Sequence, residues 1–146
     1  MFLKELNKDE AMCFLNLVSI FAKVDNKFAK EEKVLVDEYR EELGIHSEEI
    51  TTIEYDEIIN ILKESSDRSK KIIYFELVGL ALVDGEYEDE EIDFLEKIAA
   101  EFNITRAKKF AIANYFYNFK DVYDFTTVDA DNNIELLKNQ AEAIIN

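Results

Sequence analysis

Proline and tryptophan are missing from this 146-residue sequence, and glycine occurs only three times, at positions 44, 79 and 85. Proline and glycine mark the turns of β-rich folds, so their scarcity argues against a turn-rich β architecture. Leu, Ile, Ala, Glu and Lys are common instead, and these residues favour helices or their buried faces. We therefore predict an all-α fold in a single domain that spans residues 1–146.

Cysteine and histidine each occur once, as Cys13 and His46. One cysteine excludes an intramolecular disulfide and a thiolate zinc cage, and the single histidine excludes the paired Glu-x-x-His motifs of di-iron bundles. Cys13 stands in an apolar helix and is expected to be a small buried hydrophobe, whereas His46 follows a helix end and is expected in a turn. No nucleophile, catalytic triad or phosphate-binding glycine loop is indicated, so we predict no catalytic residues and no enzyme.

Acidic residues outnumber basic ones by 33 to 17, which gives a formal net charge of −16. Such a chain repels phosphate groups, so nucleic acids and anionic membrane surfaces are poor partners. Charges interrupt every apolar run before it approaches the roughly 18 residues of a membrane span, and the N-terminus lacks a signal-peptide cleavage site. We expect a cytoplasmic protein that binds cations or a protein partner and does not insert into membranes.

Apolar spacing and capping residues predict about seven helices. Asn7 and Thr105 are placed as N-caps, Gly44 is placed as a C-terminal stop, and Gly79 is expected to let another helix approach closely. The polar stretch "TTVDADNN" is expected to precede a short last helix, which a capping box of Asn132 and Glu135 would start. The predicted helices cover residues 7–24, 30–43, 55–64, 70–83 and 89–102, a segment starting at 105, and this last one.

Two segments of the chain are related to each other. Residues 14–45 align with residues 73–104 without a gap, at a constant offset of 59. Apolar positions match apolar positions at helical spacing, which indicates two related helix-loop-helix pairs packed around one core. Identical residues concentrate near the inter-helix loops and include Ala22/Ala81, Val24/Val83, Asp25/Asp84, Glu31/Glu90, Glu32/Glu91 and Ile45/Ile104.

The two repeated loops allow a structural and a functional interpretation. In the structural one, each loop is a helix joint whose glutamates stabilise the first turn of the outgoing helix by roughly 0.3–1 kcal/mol each. Asp25 and Asp84 fit this less well, because each carboxylate follows the C-terminus of the incoming helix, where the dipole is unfavourable. Amide hydrogen bonds across the loop or a bound cation would compensate.

The second loop is the more acidic, since residues 84–91 carry six acids and no base, whereas residues 25–32 carry three acids and two lysines. Hard cations such as Ca²⁺, Mg²⁺ and Mn²⁺ take oxygen ligands, which this composition supplies. The spacing excludes an EF-hand, because Asp89 stands where its glycine is required. The candidate ligands are Asp84, Glu86, Glu88, Glu90 and Glu91 in the second loop and Asp25, Glu31 and Glu32 in the first.

Each loop follows a helix ending in Ala-x-Val and leads into a helix that closes on Gly-Ile or Asn-Ile. The duplicated pattern "D-[GN]-x-[FY]-x-x-E-E" in this setting resembles the tellurite-resistance TerB-like family over about residues 10–120. The resemblance implies a helical bundle of two helix pairs, a role in bacterial tellurite and stress resistance, and an acidic divalent-cation site. Residue by residue, it implicates Asp25 and Glu32 in the first loop and Asp84 and Glu91 in the second.

The chain departs from the family pattern at the first loop, where Asn26 replaces the usual glycine and Lys27 and Lys30 oppose cation binding. The segment after about Asp121 has no counterpart in the family. We expect a non-enzymatic TerB-like protein with a divalent-cation site, and the alternative is a metal-free interaction module. In that alternative the negative surface or the aromatic run "YFYNFKDVYDF" at residues 115–125 receives a partner, although core packing also accounts for the run.

Overall fold

The computed structural model describes residues 2–24, 32–83, 89–122 and 127–146. Within these ranges all regular structure is helical, which confirms the predicted all-α fold of about seven helices. Two short 3₁₀ turns, Leu3–Glu5 and Ser47–Glu49, accompany the α-helices. The α-helices are α1 (Lys8–Val24), α2 (Glu32–Leu43), α3 (Tyr55–Leu62), α4 (Asp67–Val83), α5 (Asp89–Glu101), α6 (Arg106–Val122) and α7 (Thr127–Ile145).

The predicted helix starts at Asn7 and Thr105 are confirmed by their hydrogen bonds. The Asn7 amide donates to Oε1 of Glu10 at 2.9 Å, and the Glu10 amide donates to Oδ1 of Asn7 at 2.8 Å, which completes a capping box. The Lys108 amide donates to Oγ1 of Thr105 at 3.1 Å. These side chains satisfy amides that have no partner within the first turn of a helix.

Helices α2 and α5 end in the same way. Gly44, the predicted stop of α2, has a φ of +71°, and the Ile45 amide donates to the Arg40 carbonyl at 3.1 Å. At the end of α5, Asn103 has a φ of +55°, and the Ile104 amide donates to the Ala99 carbonyl at 2.9 Å. A left-handed residue followed by this bond is the Schellman ending, which turns the chain back over the last helical turn.

Helix α4 is the centre of the molecule. It contacts α1, α5, α6, α7 and the first 3₁₀ turn, and it is buried on several faces, as a helix with apolar residues all round must be. Gly79 lies where α6 packs against α4, because a Cβ atom at this position would be 2.7 Å from Cζ of Phe116. The predicted close helix approach at Gly79 is therefore confirmed.

Helix α1 also contributes many buried residues to the core, and it contacts α2, α3, α4 and α5. Cys13 on this helix is fully buried, as predicted for a small hydrophobe, and its burial raises the pKa of the thiol to about 11. His46 is exposed and stands directly before the second 3₁₀ turn, as expected.

The last helix was predicted wrongly. Helix α7 begins at Thr127, so most of the expected polar break is helical, and Asn132 and Glu135 lie inside the helix instead of capping it. Leu137, Ala141 and Ile145 are buried on one face at a spacing of four residues, and α7 packs on α4 and α6. Tertiary packing of this face extends the helix through residues whose local preference is for turns.

Helix α4 also starts earlier than predicted, at Asp67 instead of residue 70. The Ser69 amide donates to Oγ of Ser66 at 3.1 Å, so Ser66 caps the helix. As a result α1 and α4 are both 17 residues long. The first residues of the two helices, Lys8 and Asp67, are separated by the offset of the sequence repeat, and so are their last residues, Val24 and Val83.

Candidate functional site

Most of the predicted metal ligands lie outside the part of the chain that the structure describes. Glu32 is the first residue of α2, and Glu90 and Glu91 belong to the first turn of α5. The Glu90 side chain is exposed, whereas Glu91 is only 1% exposed. The predicted ligands that fall outside the described residues are Asp25, Glu31, Asp84, Glu86 and Glu88.

Glu91 is buried because it stands on the core-facing stripe of α5. Leu95 and Ile98, four and seven residues later, are also buried and belong to the main core cluster. Glu90, one residue earlier, points away from this stripe and faces solvent. The position one turn before Leu95, where an apolar residue would continue the stripe, thus holds a carboxylate at the end of the acidic stretch 84–91.

The other two buried polar side chains in the described ranges are Glu10 and Asn16. Glu10 forms the α1 cap, so its burial has a structural explanation. A buried carboxylate is costly unless hydrogen bonds or a positive charge hold it. The positive N-terminal end of the α5 dipole stabilises a carboxylate at Glu91, by roughly 0.3–1 kcal/mol in general and up to about 2 kcal/mol in a partly buried site. A cation bound by the acidic stretch before α5 would stabilise this carboxylate further.

Asn16 holds the chain that connects the second 3₁₀ turn to α3. Its Nδ2 donates to the carbonyls of Met12 and Thr51, both at 2.9 Å, and its Oδ1 accepts the amide of Ile53 at 2.9 Å. Segment 51–53, which has no regular secondary structure, is therefore fixed against α1. Beside this anchor is a cleft of about 250 Å³, to which Ser19, Lys23 and other residues contribute. Asn16 was not predicted from the sequence, although an amide side chain inside a strongly apolar helix indicates a buried group that needs hydrogen-bond partners.

The aromatic run near residue 115 divides between core and surface. Tyr115 is buried and Phe116 half-buried, and their ring centroids lie 5.3 and 4.8 Å from that of Phe75, so this part packs in the core as expected. Tyr117 is 56% exposed, and Phe110, seven residues earlier on α6, is 70% exposed. A spacing of seven puts both on one outward helix face. The remainder of the run, from residue 119 to 125, has no described side chains.

No three Asp, Glu, His or Cys side chains come together to hold a metal ion among the residues that the structure describes. In those same ranges no helix combines the length and the apolar character needed to cross a bilayer. Comparisons with protein-family models, with curated proteins and with solved structures give no match to this chain. The resemblance to the TerB-like family thus remains an expectation drawn from the acidic loops.

Proposed function

We propose that this protein is a non-enzymatic, TerB-like helical protein of the cytoplasm that binds a divalent cation at its second acidic loop and acts in tellurite or stress resistance. The observation that carries the proposal is the buried carboxylate of Glu91, which continues the core stripe of α5 immediately after a loop rich in acids. Ca²⁺, Mg²⁺ and Mn²⁺ bind carboxylate oxygens, and loops that join helices can supply several of them.

Repetition of the helix pair supports the same proposal. Glu32 and Glu91 occupy equivalent positions in the repeat, and the helices to which they belong end in matching Schellman motifs at Gly44 and Asn103. The two lysines in the first loop oppose a cation there, so the proposed site is in the second loop. Cation binding would join the end of α4 to the start of α5 and stabilise the folded state in proportion to metal concentration.

Thermal unfolding with increasing Ca²⁺, Mg²⁺ or Mn²⁺ tests this proposal. We expect the midpoint of the native protein to rise with at least one of these ions, and Glu91→Gln, which keeps the shape but removes the charge, to lose the rise. Asp93→Asn is the matched control, because Asp93 is an exposed acid on the same helix. Midpoints that do not respond to millimolar metal, or that respond equally in both variants, contradict the proposal.

The second candidate function is a metal-free interaction module, and the exposed pair Phe110 and Tyr117 favours it. Large aromatic side chains on one helix face are typical of protein-binding surfaces. Replacing both by serine should abolish partner capture while leaving any response to metal intact. Glu91→Gln should lose the response to metal and keep partner capture. The two functions can therefore be separated by comparing these two variants.

A further inference from the structure

A groove of about 380 Å³ lies where the start of α3 meets α1 and α5. Its walls combine two aromatic rings with charged side chains of both signs. The lining residues are Ile20, Glu54, Tyr55, Asp56, Phe94 and Lys97. None of them belongs to the proposed metal site.

The aromatic part of the groove already holds an ammonium group. Nζ of Lys97 lies 4.2 Å from the centroid of the Tyr55 ring, within the roughly 6 Å over which a ring face attracts a cation. Phe94 stands edge-on to Tyr55, with 6.4 Å between the ring centroids. The chain's own lysine thus shows which kind of group this ring face accepts.

The acidic residues of the groove favour the same kind of occupant. Glu54 and Asp56, on either side of Tyr55, are exposed carboxylates, and the Glu54 side chain does not cap α3. Burial raises the pKa of Tyr55 to about 12, with the charges of Glu101 and Asp56 adding to the effect, so the phenol is neutral at physiological pH. A second cation would gain attraction from the ring face and from these carboxylates together.

The groove is next to the cleft beside Asn16, and Ile20 and Glu54 line both. With a net charge of −16, this protein attracts basic partners and repels a second copy of itself.

We propose that the Tyr55 groove binds a lysine or arginine side chain on a basic segment of a partner protein, and that Lys97 occupies the same place until the partner displaces it. This does not depend on the proposed metal site, because Glu91 is not among the residues that line the groove. Partner binding replaces one cation–π contact by another, so it requires no rearrangement of the core.

Titration of the full chain with a capped Gly-Lys-Gly peptide, followed through the ring protons of Tyr55 and Phe94 by NMR, tests this proposal. We expect saturable shifts at both rings, and no such shifts with the peptide that carries norleucine in place of lysine. Lys97→Met removes the competing ammonium, so it should bind the lysine peptide about two- to fivefold more tightly. Lys138→Met, at an exposed lysine on α7, should bind like the native protein.

The double variant Glu54→Gln/Asp56→Asn should weaken binding severalfold while its circular dichroism spectrum stays native. Three results overturn the proposal. The first is an absence of ring shifts even in Lys97→Met. The second is an equal response to the norleucine peptide, which would mean apolar docking alone. The third is a set of shifts spread over all acidic surfaces, which would mean unspecific charge attraction.

Discussion

Gly44 and Asn103 are equivalent residues at the ends of two equivalent helices. In the described ranges they are the residues with positive φ, at +71° and +55°, and the isoleucine that follows each one donates its amide back to the helix five residues earlier. Their separation in sequence equals the offset of the internal repeat. The two helix pairs thus share a chain reversal, as well as a pattern of apolar positions.

The left-handed conformation predicts different costs for substitutions at these two ends. Gly44→Ala should lower the free energy of unfolding by about 1–2 kcal/mol, because a Cβ atom there has open space and only the backbone is strained. Asn103→Gly should be neutral or slightly stabilising, since glycine tolerates this conformation better than asparagine. Urea denaturation measures both, and an unchanged midpoint for Gly44→Ala would contradict the assignment of strain.

Gly79 should resist enlargement in spite of its position in a helix. Alanine would gain up to about 1 kcal/mol of helix propensity, but its Cβ would meet the ring of Phe116 at 2.7 Å, and overpacking costs typically about 1–3 kcal/mol. We therefore expect Gly79→Ala to be destabilising. In a Phe116→Leu background the same change should cost less or become favourable, which a double-mutant cycle by urea denaturation detects. Equal costs in both backgrounds would refute the close contact as the cause.

The anchor at Asn16 predicts a large loss from a small change. Asn16→Ala leaves the Ile53 amide and the Thr51 carbonyl without their side-chain partner, and each loss costs about 1–3 kcal/mol for a buried group and less for these part-buried ones. Hydrogen exchange at Ile53 should accelerate more than exchange in α4. Asn60→Ala, at an exposed asparagine on α3, is the control and should change stability by less than about 0.5 kcal/mol.

Arg68 connects the N-terminal 3₁₀ turn to the last helix, and its ion pairs should make the stability of the fold depend on pH. Its Nε and Nη2 donate to the two Glu5 oxygens at 2.8 and 3.0 Å, and Nη2 lies 2.9 Å from Oε1 of Glu142. This guanidinium holds the pKa of Glu5 below its usual value. A lowered carboxyl pKa stabilises the fold above the usual glutamate value, and this stabilisation is lost as pH falls through the lowered pKa.

Arg68→Met should therefore be less stable than the native protein at pH 7, by about 0.2–1 kcal/mol because the groups are partly exposed. The difference should shrink as the pH falls toward 3. Arg106→Met, at an exposed arginine of α6, is the control. Denaturant midpoints at several pH values measure the effect, and a difference that stays constant down to pH 3 would exclude the Glu5 pair as its source.

Local signals in the sequence were sufficient for much of the fold. The caps at Asn7 and Thr105, the stop at Gly44 and the close approach at Gly79 depend on a few neighbouring residues and were predicted correctly. The start of α7 was predicted wrongly, because burial of its apolar face against α4 and α6 outweighs the local preference of "TTVDADNN" for turns.

The candidate site was less accessible to sequence reasoning. Glu90 and Glu91 were treated alike, yet only Glu91 is in register with Leu95 and Ile98, and counting back along that stripe would have separated them. The Lys97 contact with Tyr55 joins α5 to α3 across the fold, so no local pattern indicates it.

The proposed function requires that the buried Glu91 carboxylate belongs to a divalent-cation site. Calorimetric titration of Ca²⁺ into the native protein, Glu91→Gln and the control Asp93→Asn tests it most directly. We expect saturable binding of about one ion by the native protein and by Asp93→Asn, and at least a tenfold weaker affinity, about 1.4 kcal/mol, for Glu91→Gln. An absence of binding in the native protein, or the same affinity in all three proteins, would contradict it.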